Sequence, residues 1–463
     1  MYMLSTTWLR RLTVVAALAM LAAACGGPPG GEVAGETETA GGTEPTATEP
    51  TATEATETET AEATETETGG GGGGGGGAEA DGTLTIGTLL PETGSLAFLG
   101  PPEFAGVDLA AMDINDAGGV LGEDVEVIDG DSGDTTTDIA NQTTDRLLSQ
   151  EVDVIIGAAS SGVSLTVIDK ITGAGVVQIS PANTAPDFTD YEDNGLYFRT
   201  APSDVLQGSI LGEVIVEDGN ATVGILALQD PYGEGLAEFI TDSVENSGSE
   251  VVETIIYDPN AQNFDAEVQK MAAADPDAIV VIGFDESARI LSSMIEAGIG
   301  PGDKNVYGTD GNMGNALGDQ FKGEKGALEG MRGTTPLTDL SKDFTDRLLE
   351  VDPKLKDFNY AGESYDATVI AALAAIVAES DAGTDIGEEL ADVTRGGTKC
   401  EEFAECKELA EDGEDIDYDG ITGPLELSDA GDPTSASFAI LEFQENNQLG
   451  EDPEFRQAEQ GEG

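Results

Sequence analysis

Apolar residues in this chain fall into short runs, and most runs are followed by a stretch with helical spacing. Residues 84–90 are apolar and β-branched, as a buried strand requires. A loop with Thr93-Gly94-Ser95 and Gly100-Pro101-Pro102 follows. Such residues let a chain turn and leave backbone N–H groups free. Phe104, Val107, Ala111 and Ile114 then recur at helical spacing, and Gly118-Gly119 ends the helix. Further strands are expected at 125–129, 152–157, 176–180, 197–200, 222–228, 250–257, 278–283, 305–309 and 330–335. Helices are expected between them, at 136–149, 233–247, 264–274 and 286–297 among others. This alternation predicts an α/β protein with parallel sheets covered by helices on both faces. About 380 residues exceed one comfortable core, so two doubly wound lobes are expected. No repeat of fixed period is visible, and the polar tail after Glu445 is expected to fray.

Ligands of open α/β sheets bind beyond the carboxyl ends of the strands. Several such ends carry suggestive residues. Ser160 and Ser161 open a helix, where free N–H groups and the positive dipole end attract a carboxylate. Ser is also the common helix cap, so the pair alone is weak evidence. Asn183 and Thr184 follow the next strand and would face the same crevice. In the second half, Tyr232 lies in LQDPYGEGLAEF, Phe284 in VVIGFDES and Asp310 in NVYGTDGNMGN, each after a strand.

The run TGSLAFLGPP, the AGVDLA helix and the INDAGGVLG turn resemble the opening of the branched-chain amino-acid-binding family. These are the type I solute-binding proteins of ABC importers, and the resemblance continues through most of residues 82–445. It implies two lobes joined by three crossings, one of 82–201 plus 332–424 and the other of 202–331 plus 436–455. It also implies that Ser161 and Thr184 hold a ligand's α-carboxylate and α-amino groups, and that Tyr232 and Phe284 line the cleft. Asp310 would pair with the ligand's ammonium. Leu99 stands where the best-known leucine binders have a larger aromatic, which alters the side-chain pocket.

Residues 1–25 read as an export signal, with Arg10-Arg11, an apolar stretch at 12–21 and Ala22-Ala23-Ala24 before Cys25. The apolar stretch is too short to span a bilayer. The arrangement resembles a bacterial lipobox, so Cys25 is expected to carry a lipid. Residues 26–80 are rich in Thr, Glu and Gly and have almost nothing to bury, so a disordered tether to a membrane is expected.

The chain carries 91 acidic and 19 basic residues. Residues 81–463 alone hold 79 acidic and 17 basic groups, so the acidity belongs to the folded part. Nucleic acid needs clustered Lys and Arg and is a poor fit as partner. There is no His, which removes Ser/His and Cys/His catalysis. Cys400 and Cys406, spaced C-x5-C, are expected to form a disulfide outside the cytoplasm. A zinc site is the weaker alternative with two thiols and no His. Residues 415–426 match a calcium-loop pattern through Asp415, Asp417, Asp419 and Glu426. No helical pattern leads into it, and a chance match is expected in so acidic a chain.

The reading is a non-enzymatic, monomeric, membrane-anchored receptor without cofactor. It would bind an amino acid, branched-chain ones leading, and deliver it to an ABC permease and ATPase. Its alternatives are a sensor of the same fold, or a binder of urea, short amides or aromatic acids. The acidity suits a salt-adapted source, because salt screens self-repulsion. Thermal unfolding should therefore move to higher temperature as NaCl is raised. A melting temperature indifferent to salt would refute salt adaptation.

Overall fold

The computed structural model describes residues 80–459. The expected export signal, Cys25 and the tether up to residue 79 lie outside the described residues.

The first sheet contains β1 (Thr85–Leu89), β2 (Glu126–Ile128), β3 (Val154–Gly157), β4 (Val177–Ser180) and β5 (Tyr197–Arg199). All pairs are parallel, in the order β2-β1-β3-β4-β5. The second lobe repeats that order with β6 (Thr222–Leu228), β7 (Glu250–Tyr257), β8 (Ala278–Ile282), β9 (Asn305–Gly308) and β10 (Arg332–Pro336), which run β7-β6-β8-β9-β10. The two faces of these sheets are covered, so β3, β4 and β8 are buried along their whole length. A small third sheet holds β11 (Thr398–Cys400), β12 (Ile416–Gly420) and β13 (Gly423–Pro424). The second sheet is then extended by β14 (Ser435–Glu442), antiparallel to β10, and β15 (Glu454–Glu459), antiparallel to β14.

The chain changes lobe after β5, after β10 and before β14. Arg332–Pro336, given above to the first lobe, is bonded within the second sheet on both sides, so the second crossing follows Pro336. The tail does not fray as expected. β15 satisfies the free edge of β14, Phe455 and Ala458 lean on the second-lobe core, and Arg456 reaches Glu217 at 2.7 Å. One apolar face and an ion pair are enough to hold an otherwise polar strand.

Residues 415–426 form strands rather than a calcium loop. Lys399, on the neighbouring strand, brings its ammonium to Asp419 at 2.8 Å, Asp417 at 3.2 Å and Glu426 at 3.5 Å. A lysine thus stands among three of the four carboxylates of the pattern. Among the described residues no group of three or more Cys, Asp or Glu side chains is arranged to hold a metal. Cys400 and Cys406 are joined by a disulfide with Cα atoms 5.4 Å apart, linking β11 to the helix Phe403–Glu411.

The helices Gly100–Asp116 and Ala361–Val377 pack together in the first lobe and bury two carboxyls. Both Glu103 oxygens and Oε2 of Glu363 lack hydrogen-bond partners. Burial, then the neighbouring Glu363, pushes Glu103 well up. Burial lifts Glu363 from 4.5 to about 8. The folded state therefore holds this proton where the unfolded chain has released it, and stability falls as pH rises between those values. One such group changes stability by about 1.4 kcal/mol per pH unit. Urea unfolding should show a stability loss of about 4 kcal/mol between pH 5 and 8, and Glu363→Gln should flatten part of the slope.

Candidate functional site

The carboxyl ends of β1, β3 and β4 face those of β6, β8 and β9 across the gap between lobes, and the gap is narrow. A Cβ on Gly162 of the first lobe would lie 2.2 Å from Asp230 Oδ2 of the second. Only glycine fits there. At the mouth, Gly94, Ser95 and Phe98 face Phe284, Gly311 and Leu317 across a cavity of about 130 Å³.

Asp310 is at the centre of the second-lobe wall, just after β9, and is 5 % exposed. Its Oδ1 accepts from Gln207 Nε2 at 2.9 Å and from the Tyr232 hydroxyl at 2.8 Å. Its Oδ2 accepts from the Tyr360 hydroxyl at 2.8 Å. Burial raises the carboxyl's pKa above the ordinary range, and the three donors only partly offset it. Tyr232 begins the helix Pro231–Asn246, capped by Asp230, whose carboxylate accepts from Tyr232 N at 3.1 Å. Its hydroxyl also lies 2.7 Å from Thr309 Oγ1, and its ring stacks on Phe284 with centroids 5.6 Å apart. Tyr360 reaches across from the first lobe, at the start of the helix Ala361–Val377. Its backbone is left-handed, φ 61°, a strained choice for a tyrosine and one often found at functional sites.

The first-lobe residues serve partly as scaffold. Ser160 caps the helix Ser161–Gly173, its Oγ accepting from Val163 N at 3.3 Å. Ser161 Oγ accepts from Ala185 N at 3.3 Å and ties two loops together. Asn183, expected to face the crevice, turns inward instead. Its Nδ2 donates to Ala159 O at 2.9 Å and its Oδ1 accepts from the Tyr197 hydroxyl at 3.0 Å. Thr184 is buried, and its carbonyl accepts from Asp204 N at 2.7 Å. Leu99 is buried and shares one apolar cluster with Ala159, Ala182, Tyr232 and Phe284.

Arg199 holds this loop in place and is fully buried. Its Nε pairs with Asp432 Oδ1 at 2.6 Å. Nη1 donates to Asn183 O at 3.3 Å and Ala185 O at 2.8 Å, and Nη2 to Thr189 Oγ1 at 3.1 Å. Asp432 lies on the third crossing, so one guanidinium fixes the loop at 183–185 to that crossing.

Sequence reasoning missed Gln207, Thr309, Tyr360, Arg199 and Asp204. Arg199 was the most legible, an arginine ending an apolar strand in a chain with few basic residues. Asp204 and Gln207 open the helix Asp204–Glu217. Gln207 Oε1 is buried without a partner, and Asp204 is buried with only the Thr184 side chain beside it.

A sequence profile of the periplasmic binding protein family matches residues 83–447. A "Leu/Ile/Val-binding protein homolog 3" of Brucella melitensis is 26% identical over 79% of this chain and 93% of its own length. A substrate-binding protein of a chemotactic signal transduction system in Halobacterium salinarum is 26% identical over 76% of this chain and 85% of its own. Among solved structures, the substrate-binding protein of a branched-chain amino acid transporter from Streptococcus pneumoniae, in complex with isoleucine, superposes with a TM-score of 0.66. It is 25% identical and covers 81% of this chain and all of its own.

Removing one partner of a buried pair leaves an uncompensated charge, a cost of about 3–5 kcal/mol. Arg199→Ala should lower unfolding free energy by that order in urea titrations, and Asp432→Asn by a comparable amount.

Proposed function

The chain belongs to the periplasmic binding protein family, and from that premise we propose that it is an extracytoplasmic receptor for an amino acid, branched-chain ones first. The observation that carries this reading is Asp310, a carboxylate buried between the lobes beside the Tyr232–Phe284 stack. An acidic wall next to an aromatic one suits a molecule with a cationic head and an apolar side chain. The N-terminus of the helix Ser161–Gly173 suits its carboxylate. The Leu/Ile/Val-binding names of several relatives support an amino-acid ligand.

In this reading the ligand bridges the lobes and favours the closed state, because it touches both walls only there. A lipid on Cys25 and the tether behind it would keep the receptor at the membrane, and an ABC permease with its ATPase would take the ligand. The Halobacterium relative favours a second reading, delivery of the binding signal to a membrane sensor. Pull-down of the ligand-loaded, membrane-anchored protein would separate the two by its partner.

A ligand that binds only the folded state raises the melting temperature. Leucine, isoleucine or valine should shift that of the full-length protein by several degrees at millimolar concentration. Asp310→Ala should abolish the shift. A shift only with urea, amides or aromatic acids would replace the amino-acid reading.

A further inference from the structure

The segment between the helices Lys342–Val351 and Ala361–Val377 touches both lobes. Leu355 and Phe358 pack on the first-lobe core and hold the segment to that lobe. The residues around Phe358 turn the other way. Lys356 Nζ lies 2.8 Å from Asp319 Oδ2, on the second-lobe helix Asn315–Gln320. Asp357 Oδ1 accepts from Asn315 Nδ2 at 2.7 Å, and its Oδ2 accepts from Asn315 N at 3.1 Å. Asn359 Nδ2 donates to Thr335 Oγ1 of β10 at 3.4 Å, and the Tyr360 hydroxyl donates to Asp310. Four of five consecutive residues thus bond across the gap.

The receiving helix is firmly seated in its own lobe. Asn315 Oδ1 accepts from Leu449 N at 2.9 Å, which aims Nδ2 at Asp357. A Cβ on Gly318 would collide with Asn447 O, so the helix meets the β14–β15 connection backbone to backbone. Gly314, just before the helix, faces Phe98 of the first lobe, and a Cβ there would lie 3.0 Å from that ring. Leu317 and Gln320 line the mouth cavity. Composition opposes such a contact. With 79 acidic and 17 basic groups in residues 81–463, closure brings like-charged surfaces together. Yet Lys356–Asp319 joins the body of one lobe to that of the other, and among the described residues it is the only ion pair that does so.

We propose that Lys356 and Asp357 form a latch at the cleft mouth, that they grip the helix Asn315–Gln320, and that the grip holds the lobes closed without help from a ligand. The inference rests on the receptor reading above and adds a control outside the ligand's own contacts. Every bond of the latch is made by protein atoms alone, so it favours the closed state whether the cleft is filled or empty. A bound ligand leaves only when the latch opens. Asp357 is the stronger half, because two charge-assisted bonds to one residue fix its direction. Lys356 is exposed, and its pair with Asp319 adds less. Together they should shift the open–closed balance about tenfold.

The test measures hydrogen exchange of the full-length, ligand-free protein in wild type, Asp357→Ala, Lys356→Met and the double variant. The readout lies away from the latch, at the contact of Gly162 with Asp230. Asp230 follows β6, and β8 separates β6 from β9, which leads to the latch helix. Amides of 159–164 and 229–235 should exchange about tenfold faster in the double variant and less so in each single one. The cores of β3 and β8 should keep their protection, and the melting temperature should change little. Exchange at 159–164 and 229–235 equal to wild type would overturn the latch, including when 354–361 alone exchanges faster. Faster exchange in β3 and β8 with a lower melting temperature would mean general destabilisation and would overturn it too. Radiolabelled leucine, chased with unlabelled leucine, should leave the double variant about tenfold faster. Equal release would also overturn the latch. A wild type that retains no leucine would refute the amino-acid reading, and the exchange result would then decide the latch by itself.

Discussion

The guanidinium of Arg199 is the constraint on which the site is built. It has no access to water, so each of its hydrogen bonds must be met inside the protein. Those bonds reach the carbonyls of Asn183 and Ala185, the Thr189 hydroxyl and Asp432 on the returning chain. Phe188 stacks on Tyr197 with centroids 4.6 Å apart and closes the pocket around it. With the carbonyls of Asn183 and Ala185 fixed, Thr184 between them is fixed too, and its own carbonyl takes the first N–H of the crossing helix. The position of Asp204 follows from that contact. A single buried cation therefore sets the geometry of the first-lobe wall, of the third crossing and of the start of the helix Asp204–Glu217.

The polar groups of the cleft fall into two kinds. Ser160, Ser161 and Asn183 are engaged with the protein and give the loops their shape. Gln207 Oε1 is engaged with nothing, and Asp204 has only the Thr184 side chain beside it. Local rules of polar satisfaction fail at few places in a native protein, and those places tend to be functional. Glu103 and Glu363 break the same rule within the first lobe, where burial by helix packing raises both pKa values.

Most of the fold was legible because parallel strands buried on both faces are short continuous apolar runs. Residues 222–228 and 250–257 match β6 and β7 to the residue. β15 was not legible, since its stability comes from the edge of β14 and not from its own polar sequence. The repeated strand order was hidden as well, because topology constrains burial and connection but not residue identity. In the site, Tyr232, Phe284 and Asp310 were singled out through the family resemblance, since their place after strands alone would not have distinguished them. Asp204 was one aspartate among dozens, and its complete burial is visible only in three dimensions. The calcium pattern shows the reverse error, a spacing that is right and a backbone that is extended, with Lys399 among the acids.

The second sheet is assembled from segments far apart in the chain. β10 receives its outer neighbour only when residues 435–442 arrive, roughly 100 residues later, after a whole passage through the first lobe. During synthesis, N-terminus first, the first sheet and the parallel core of the second can form early. The edge of β10 stays unpaired until late, and so does the crossing that brings Asp432 to Arg199. The hinge and the second lobe are thus completed by the same late segment. Until residues 432–442 emerge, β10 lacks its outer neighbour and Arg199 its only carboxylate partner.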